Sequence, residues 1–490
     1  MRAVQLLAAL GTVLLVACVK APPVEHPPLD VNVPGTWTAA GELVLSGEVP
    51  DAWWEDFGAP PLSAAVQAAL DHNHDLRAAA ARVERAAAQA RIAGADLEPA
   101  LDLNIDGSRR KQNFIGLPIP GEPGSVLSTT FTTYGASLNL SWEVDLWGRL
   151  RAGARAALAD LQAAQADYAA ARLSLAGQTA KAWLAAAEAA QQVELARRTV
   201  ETWRRSFQQV QYRYEQGVRS PLDVRLARTS LADAEALLEV RRNQQDAAVR
   251  QIEILMGRYP GRELADPEAL PGVPSRIPSG LPAEMVGRRP DLAAAERRLA
   301  AADQRLRFAR RSLYPRFTLT ASGGTASAGL SDLVDGNFSV WSLAAGLFQP
   351  LFQGGRLRAG VDDAEAGTRE ALESYVSDVL RAYGEVEAAL AAEQYLARET
   401  DFLSESSVQS AAARELAEGR YEFGLEDYVT VLEAQRRELN SQAALLEVRR
   451  LRLNNRVDLY LALGGGFQAG GATDRPVAAA ASSEGRELDR

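Results

Sequence analysis

The 490-residue chain carries one thiol, Cys18, three imidazoles, His26, His72 and His74, and 63 carboxylates. Any of these could do chemistry, and spacing decides which can. His72 and His74 stand two apart at a helix start, where their side chains do not share a face, so they offer no paired ligands. No Ser/His/Asp order, Gly-rich phosphate loop or metal-ligand spacing occurs along the chain. Carboxylate pairs are always available among so many acids, but nothing singles one out, so no enzyme activity, catalytic residue, metal site or cofactor is expected. A net charge of −10 argues against nucleic acid, whose phosphates need a basic face. The one residue whose position suggests a reaction is Cys18.

Its surroundings say why. Arg2 supplies a positive start, and Leu6 to Val16 form an apolar core too short to span a bilayer. The run ends in Leu15-Val16-Ala17-Cys18, which resembles a bacterial lipobox, where the signal is cut before the cysteine and the cysteine takes the lipid. Val19 rather than aspartate follows, which by resemblance to lipoprotein sorting favours the outer membrane. Residues 1–17 are therefore expected to be a signal peptide. The proline-rich 18–61 reads as a lipid-anchored linker, within which Pro50 to Leu62 is expected to pack against helices.

Beyond a helical pattern from Leu62 to about Ile92, the residue types switch period. Leu101, Leu103 and Ile105 alternate with Asp102, Asn104 and Asp106. Tyr134, Ala136, Leu138, Leu140 and Trp142 alternate with small and polar residues. Period two predicts strands with one apolar and one wet face, over about 100–112 and 130–145. The pattern returns at about 315–327 (Phe317, Leu319, Ala321) and 337–350 (Trp341, Leu343, Ala345, Leu347). About ten residues is the length of a tilted strand that crosses a bilayer, and aromatic residues cluster near the strand ends. Four strands cannot close a barrel, and lipid does not tolerate an open edge, so several chains must contribute. A soluble sheet on a helical scaffold is the competing reading.

Each strand pair leads into a long helical stretch, and the stretch occurs twice. From Gly148 to Gln216 there is no proline, and strong helix formers dominate. At 1.5 Å per residue such an arm is roughly 100 Å long. Val193, Ala196, Val200, Trp203, Phe207, Val210 and Tyr214 mark its coiled-coil seam. After a turn at Gly217 the return helix carries Val224, Ala227, Leu231, Ala234 and Leu238. Trp147-Gly148-Arg149-Leu150-Arg151-Ala152 matches Gly354-Gly355-Arg356-Leu357-Arg358-Ala359, and Tyr214-Glu215-Gln216-Gly217 matches Tyr421-Glu422-Phe423-Gly424 at the same offset. An internal duplication explains this. It gives repeat 1 over 62–257 with its helical hairpin at 148–257, a crossover at 258–289, and repeat 2 over 290–465 with its hairpin at 355–465. The last helix has a seam of Leu432, Leu439, Leu446, Leu453 and Tyr460. A disordered tail is expected over 466–490.

Taken together, Arg288-Arg289-Pro290-Asp291-Leu292, the duplicated Tyr-Glu-x-Gly turns, the repeated Gly-Arg-Leu-Arg and the lipobox resemble the outer-membrane factors of the TolC/NodT efflux-lipoprotein type. The resemblance implies a mainly α fold with a transmembrane β part: a homotrimer whose twelve strands close one β-barrel and whose helical hairpins form a periplasmic α-barrel. It implies a passive conduit in the outer membrane, with outer-membrane lipid, a periplasmic adaptor (membrane fusion protein) and an inner-membrane transporter of the RND type as partners. A type I secretion channel and a lipid-anchored coiled-coil scaffold are the alternatives. It also implies that the turns at Gly217 and Gly424 form the periplasmic tip. Carried over by position, Asp223, Tyr421, Glu426 and Glu433 fall at the gate. Thr430 and Glu426 depart from the residues of some relatives there, and the bland alternative is a seam tyrosine among solvated acids.

Overall fold

A computed structural model describes residues 20, 22–23, 33–40, 49–114, 127–267, 269–275 and 282–466. Cys18, the signal segment 1–17, His26, the loop 115–126 and the tail from 467 lie outside them. The elements in chain order are α1 (Pro60–His72), α2 (His74–Ala95), β1 (Ala100–Phe114), β2 (Leu127–Val144), α3 (Arg149–Glu215), α4 (Pro221–Leu255), α5 (Pro282–Arg288), α6 (Pro290–Arg311), β3 (Arg316–Ser327), β4 (Ser339–Phe348), α7 (Arg356–Glu422) and α8 (Tyr428–Ala462). The helical pattern from Leu62 to Ile92 is interrupted at Asn73, between the two histidines. Asn73 is buried; its Oδ1 accepts from Leu76 N (3.0 Å) and its Nδ2 donates to Leu255 O (2.9 Å), so it caps α2 and ties it to the end of α4. Among the described residues no helix is long and apolar enough to cross a membrane.

The chain divides into two compact units, and each draws segments from both repeats. One unit takes residues 84–162 and 296–373 with the first 26 residues. It contains a four-stranded antiparallel sheet in the order β1-β2-β3-β4. The β1–β2 pairing runs from Ala100↔Ser141 to Phe114↔Leu127, beyond the point where apolar alternation fades. Backbone pairing continues through polar residues there, which is why these strands outlast their own pattern. Among the described residues β1 and β4 are both unpaired on their outer sides.

The other unit, 27–83, 163–295 and 374–490, is helical. Its largest core gathers Trp53, Trp54, Phe57, Leu62, Val66, Leu184, Ile252, Val457 and Tyr460. The segment around Trp53 does pack on the helices: Trp53 is fully buried and stacks on Tyr460 at 5.2 Å, whose hydroxyl donates to Asp56 (2.7 Å). Along α3 and α4 the seam holds, with Ala196, Val200, Trp203, Leu231, Ala234 and Leu238 in one cluster. Tyr214, at its end, is exposed instead. On α8 the heptad leucines are less covered than the pattern predicts. Leu453 and Tyr460 are buried, but Leu432, Leu439 and Leu446 are half-buried, while Val431, Leu445 and Val448 take the covered positions. Helix neighbours within one chain cover only part of that face.

The Arg288-Arg289-Pro290-Asp291-Leu292 stretch works as a clasp in this unit. Arg289 is buried, forms paired bonds with Asp291 (3.1 and 2.7 Å), and reaches Glu385 (2.6 Å) and the Ala462 carbonyl at the end of α8 (3.1 Å). Burial opposes both charges, but each partner more than compensates: the guanidinium is held above its ordinary range and the Asp291 carboxyl below its own. The chain leaves α8 through Gly464 at φ 91°, where a Cβ would stand 2.1 Å from the Arg288 carbonyl oxygen. Only glycine fits that approach.

Candidate functional site

The sheet sorts its residues by face. Register brings Leu101, Leu140, Ala321 and Leu343 into one row, and Leu103, Leu138, Gly323 and Trp341 into the next. With Ile105, Leu319, Leu347 and Phe317 these form a continuous apolar surface that stays open: Leu103 is 67% and Trp341 82% exposed. The opposite face carries Asp102, Asn139, Ser322 and Ser342 in one row, the two serines hydrogen-bonded at 2.8 Å. Phe114, Phe131, Val340 and Phe348 are among the apolar exceptions there. In a water-soluble sheet an exposed apolar face this continuous would be an association hazard. In a bilayer it is the lipid side of a wall, and the polar face lines an aqueous interior.

The apolar band ends in rings. From Phe317, opposite Val144, to Tyr134, opposite Gly107, it runs ten residue steps along β2. That is about 33 Å along a strand, or about 25 Å of height at a tilt near 40°, the height of an outer-membrane apolar band. Where β2 passes into α3, Asp145 accepts from the backbone of Leu150 (3.1 Å) and Arg151 (2.9 Å), occupying the helix start. Arg149 pairs with Glu143 (2.8 Å) and lies over Phe308 (5.0 Å), while Trp147 donates to Pro315 O (2.9 Å) and packs on Tyr314. The Trp-Gly-Arg-Leu-Arg signature is thus a strand-to-helix corner, turned at Gly148 with φ 76°.

The two hairpin turns lie in the helical unit and repeat one another. At the first, Gly217 N donates to Tyr214 O (2.8 Å) and Val218 N to Arg213 O (2.9 Å). At the second, Gly424 N donates to Tyr421 O (3.1 Å) and Leu425 N to Arg420 O (2.9 Å). Both glycines sit near φ 70°. This is the paired closure that needs a left-handed residue after the helix. The return helices start differently. Ser220 and Asp223 form a reciprocal capping box on α4. On α8 the equivalent positions are Asp427, which makes no side-chain cap bond, and Thr430, whose hydroxyl instead donates to Glu426 (3.2 Å).

Between the turns lies a cluster of Val210, Ala227, Ala417, Tyr421, Tyr428 and Val431. Tyr421 is 2% exposed although its duplicate, Tyr214, is 43% exposed. Two guanidiniums account for the difference: Arg219 lies 4.4 Å and Arg213 5.0 Å from the Tyr421 ring centroid. Arg213 also donates to the Tyr421 and Glu422 carbonyls, both at 2.9 Å, joining the last turn of α7 to α3. Tyr428 packs on Tyr421 and shares a hydrogen bond with Ser206 (3.1 Å). Burial pushes the Tyr428 phenol up to about 12, and raises Tyr421 against the opposing charges of Arg219 and Arg213.

Of the residues singled out from sequence, Tyr421 and Asp223 share this corner, and Asp223 spends its hydrogen bonds on Ser220. Glu426 pairs with Arg420 (3.3 Å), and Glu433 with Arg436 and Arg437 on its own helix. Gly217 and Gly424 form the turns. Cys18 lies outside the described residues. Arg213 and Arg219 were not singled out from sequence; nothing in helical periodicity tells an inward arginine from a solvated one. Tyr428 carried no signal either, because the turn at Gly424 breaks the helix between it and Tyr421.

Residues 65–258 and 281–465, most of the chain, match the family described as Outer membrane efflux protein. The pyoverdine export outer membrane protein OpmQ of Pseudomonas putida is 33% identical over 94% of this chain and 97% of its own length. The toluene efflux pump outer membrane protein TtgI of the same species is 34% identical over 84% and 87%. The CmeC outer membrane channel of Campylobacter jejuni superposes with a TM-score of 0.82 at 25% identity, covering 92% of this chain and 95% of that one. With a family match over most of the chain and relatives at a third identity across nearly its whole length, the chain belongs to the outer membrane efflux protein family.

Proposed function

We propose that three copies of this chain close one passive channel through the outer membrane, each giving four strands to a twelve-stranded barrel and its hairpins to a periplasmic tube. The observation that carries the reading is the open sheet: it has a lipid face and a wet face but leaves β1 and β4 unpaired, and lipid accepts only closed sheets. Cys18 takes the lipid anchor. Val218, Leu222, Phe423 and Leu425, exposed at the two turns, offer an apolar surface for a periplasmic adaptor that links the channel to an inner-membrane pump of the RND type. The gate lies at those turns, where the Arg213–Tyr421–Arg219 cluster joins the two hairpins of one chain, with Asp223, Glu426 and Glu433 beside them.

Relatives carry names as different as pyoverdine export and toluene efflux. The wet face here mixes hydroxyl and amide residues with charged ones such as Asp102, Asp106 and Arg110, which favours selection by size and charge over fitted binding. The test is the mass of the purified protein in detergent, together with planar-bilayer recording. A trimer mass with discrete conductance steps is expected; a single-chain mass without conductance overturns the reading.

A further inference from the structure

The apolar face of β1 does not stop at its aromatic rim. Odd-numbered residues of β1 lie on that face: Leu101, Leu103, Ile105 and then Gly107, over which the Tyr134 ring lies, a Cβ at Gly107 falling 3.2 Å from its Cδ1. The next two odd positions are Arg109 and Lys111, paired with Thr132 and Thr130. Both are exposed, and neither makes an ion pair among the described residues. The nearby acids point the other way: Asp102 and Asp106 are even-numbered, and Asp106 packs at Gly135 on the wet face. The helices leave the sheet from its opposite end, at Ala100 and Val144, and in this family the helical part is periplasmic. Arg109 and Lys111 therefore stand on the lipid side at the level of the outer headgroups.

We propose that Arg109 and Lys111 bind the phosphorylated headgroup of an outer-leaflet glycolipid. A cation placed one step past an aromatic rim, facing lipid and paired with no described residue, meets anionic phosphate rather than acyl chain. Arginine presents a fork for two phosphate oxygens, and lysine two residues on supplies a second charge on the same side. Arg110, between them, faces the interior and is the internal control. The inference rests on the sheet crossing the outer membrane.

The test uses the full-length protein in detergent, titrated with diphosphorylated lipid A and read by native mass spectrometry. Arg109→Gln with Lys111→Gln is expected to weaken binding roughly 10- to 30-fold, about fivefold per lost cation. Arg110→Gln should leave binding unchanged, and the charge-keeping swap Arg109→Lys with Lys111→Arg should retain most of it. Dephosphorylated lipid A should bind the wild type as weakly as diphosphorylated lipid A binds the double variant. Unchanged binding in the double variant, an equal loss in Arg110→Gln, or full displacement by 10 mM inorganic phosphate overturns the assignment, the last because free phosphate would then be the occupant. Unchanged oligomer mass shows that the variants are folded, and bilayer conductance tests the channel reading separately.

Discussion

At Arg213 one guanidinium lies over the Tyr421 ring and also bonds the two last carbonyls of α7. Charge-assisted bonds of this kind contribute about 1.5–3 kcal/mol when their partners are partly buried. Arg213→Ala is expected to free the second turn from the first and to raise single-channel conductance several-fold in planar bilayers. Arg213→Lys should restore little, because an ammonium cannot bond both carbonyls and stack; wild-type currents in Arg213→Ala would remove Arg213 from the gate. Glu253 gives a different test. Buried at the end of α4, it accepts from the backbone N–H of Arg262 (2.8 Å), Glu263 (2.6 Å) and Leu264 (3.1 Å), fastening the segment after the hairpin. Burial alone would raise its carboxyl, but the three N–H groups win and hold it below the ordinary range. A depressed carboxyl stabilises fully above its unfolded value, about 4.3, and the gain is lost as pH falls through the lower folded value. Glu253→Gln should therefore lower the thermal midpoint most at pH 7, with the gap to wild type closing below about pH 4. The sequence offered neither residue. Tyr214 and Tyr421 sit in the same four-residue motif, and their opposite burial depends on which arginines another segment brings.

Elements were more legible, for a physical reason. A strand with lipid on one side and water on the other must alternate, so Leu101 to Ile105 and Trp341 to Leu347 are readable from the period-two spacing alone. The register then placed them in rows on one face. Strand ends were less readable, because backbone pairing from Arg109 to Phe114 needs no particular side chains. The α8 seam was partly misleading, since Leu432, Leu439 and Leu446 recur every seventh residue yet are only half covered in one chain. The face assignment has a direct test. Leu138→Arg puts a charge on the lipid side at mid-sheet and should cost about 2–4 kcal/mol, read as loss of assembled oligomer from outer-membrane fractions. Asn139→Arg, one residue away on the wet face, should assemble normally and shift ion selectivity toward anions. Equal defects in the two would mean that the sheet does not separate lipid from water.

For the whole molecule, duplication is plain in the sequence, but the compact units do not follow it. Each unit mixes segments of both repeats, since the strands of the two copies pair with one another and the hairpin of one copy packs on that of the other. A copy on its own would have half a sheet. Lipidation belongs at this scale too: Cys18→Ser should remove the acyl mass while leaving the proposed trimer assembled, because the sheet itself holds the membrane. Loss of the trimer with the lipid would make the anchor a condition of assembly. The two unpaired borders of the sheet carry a final consequence, for biogenesis. A newly exported protomer meets the periplasm with sticky seams that any extended peptide can occupy. If completion takes three copies, the yield of finished channels should fall faster than protein supply, approaching a cubic dependence when protomers are scarce. Cells with a weak promoter for this gene would then accumulate misfolded chain for degradation well before they ran short of the polypeptide.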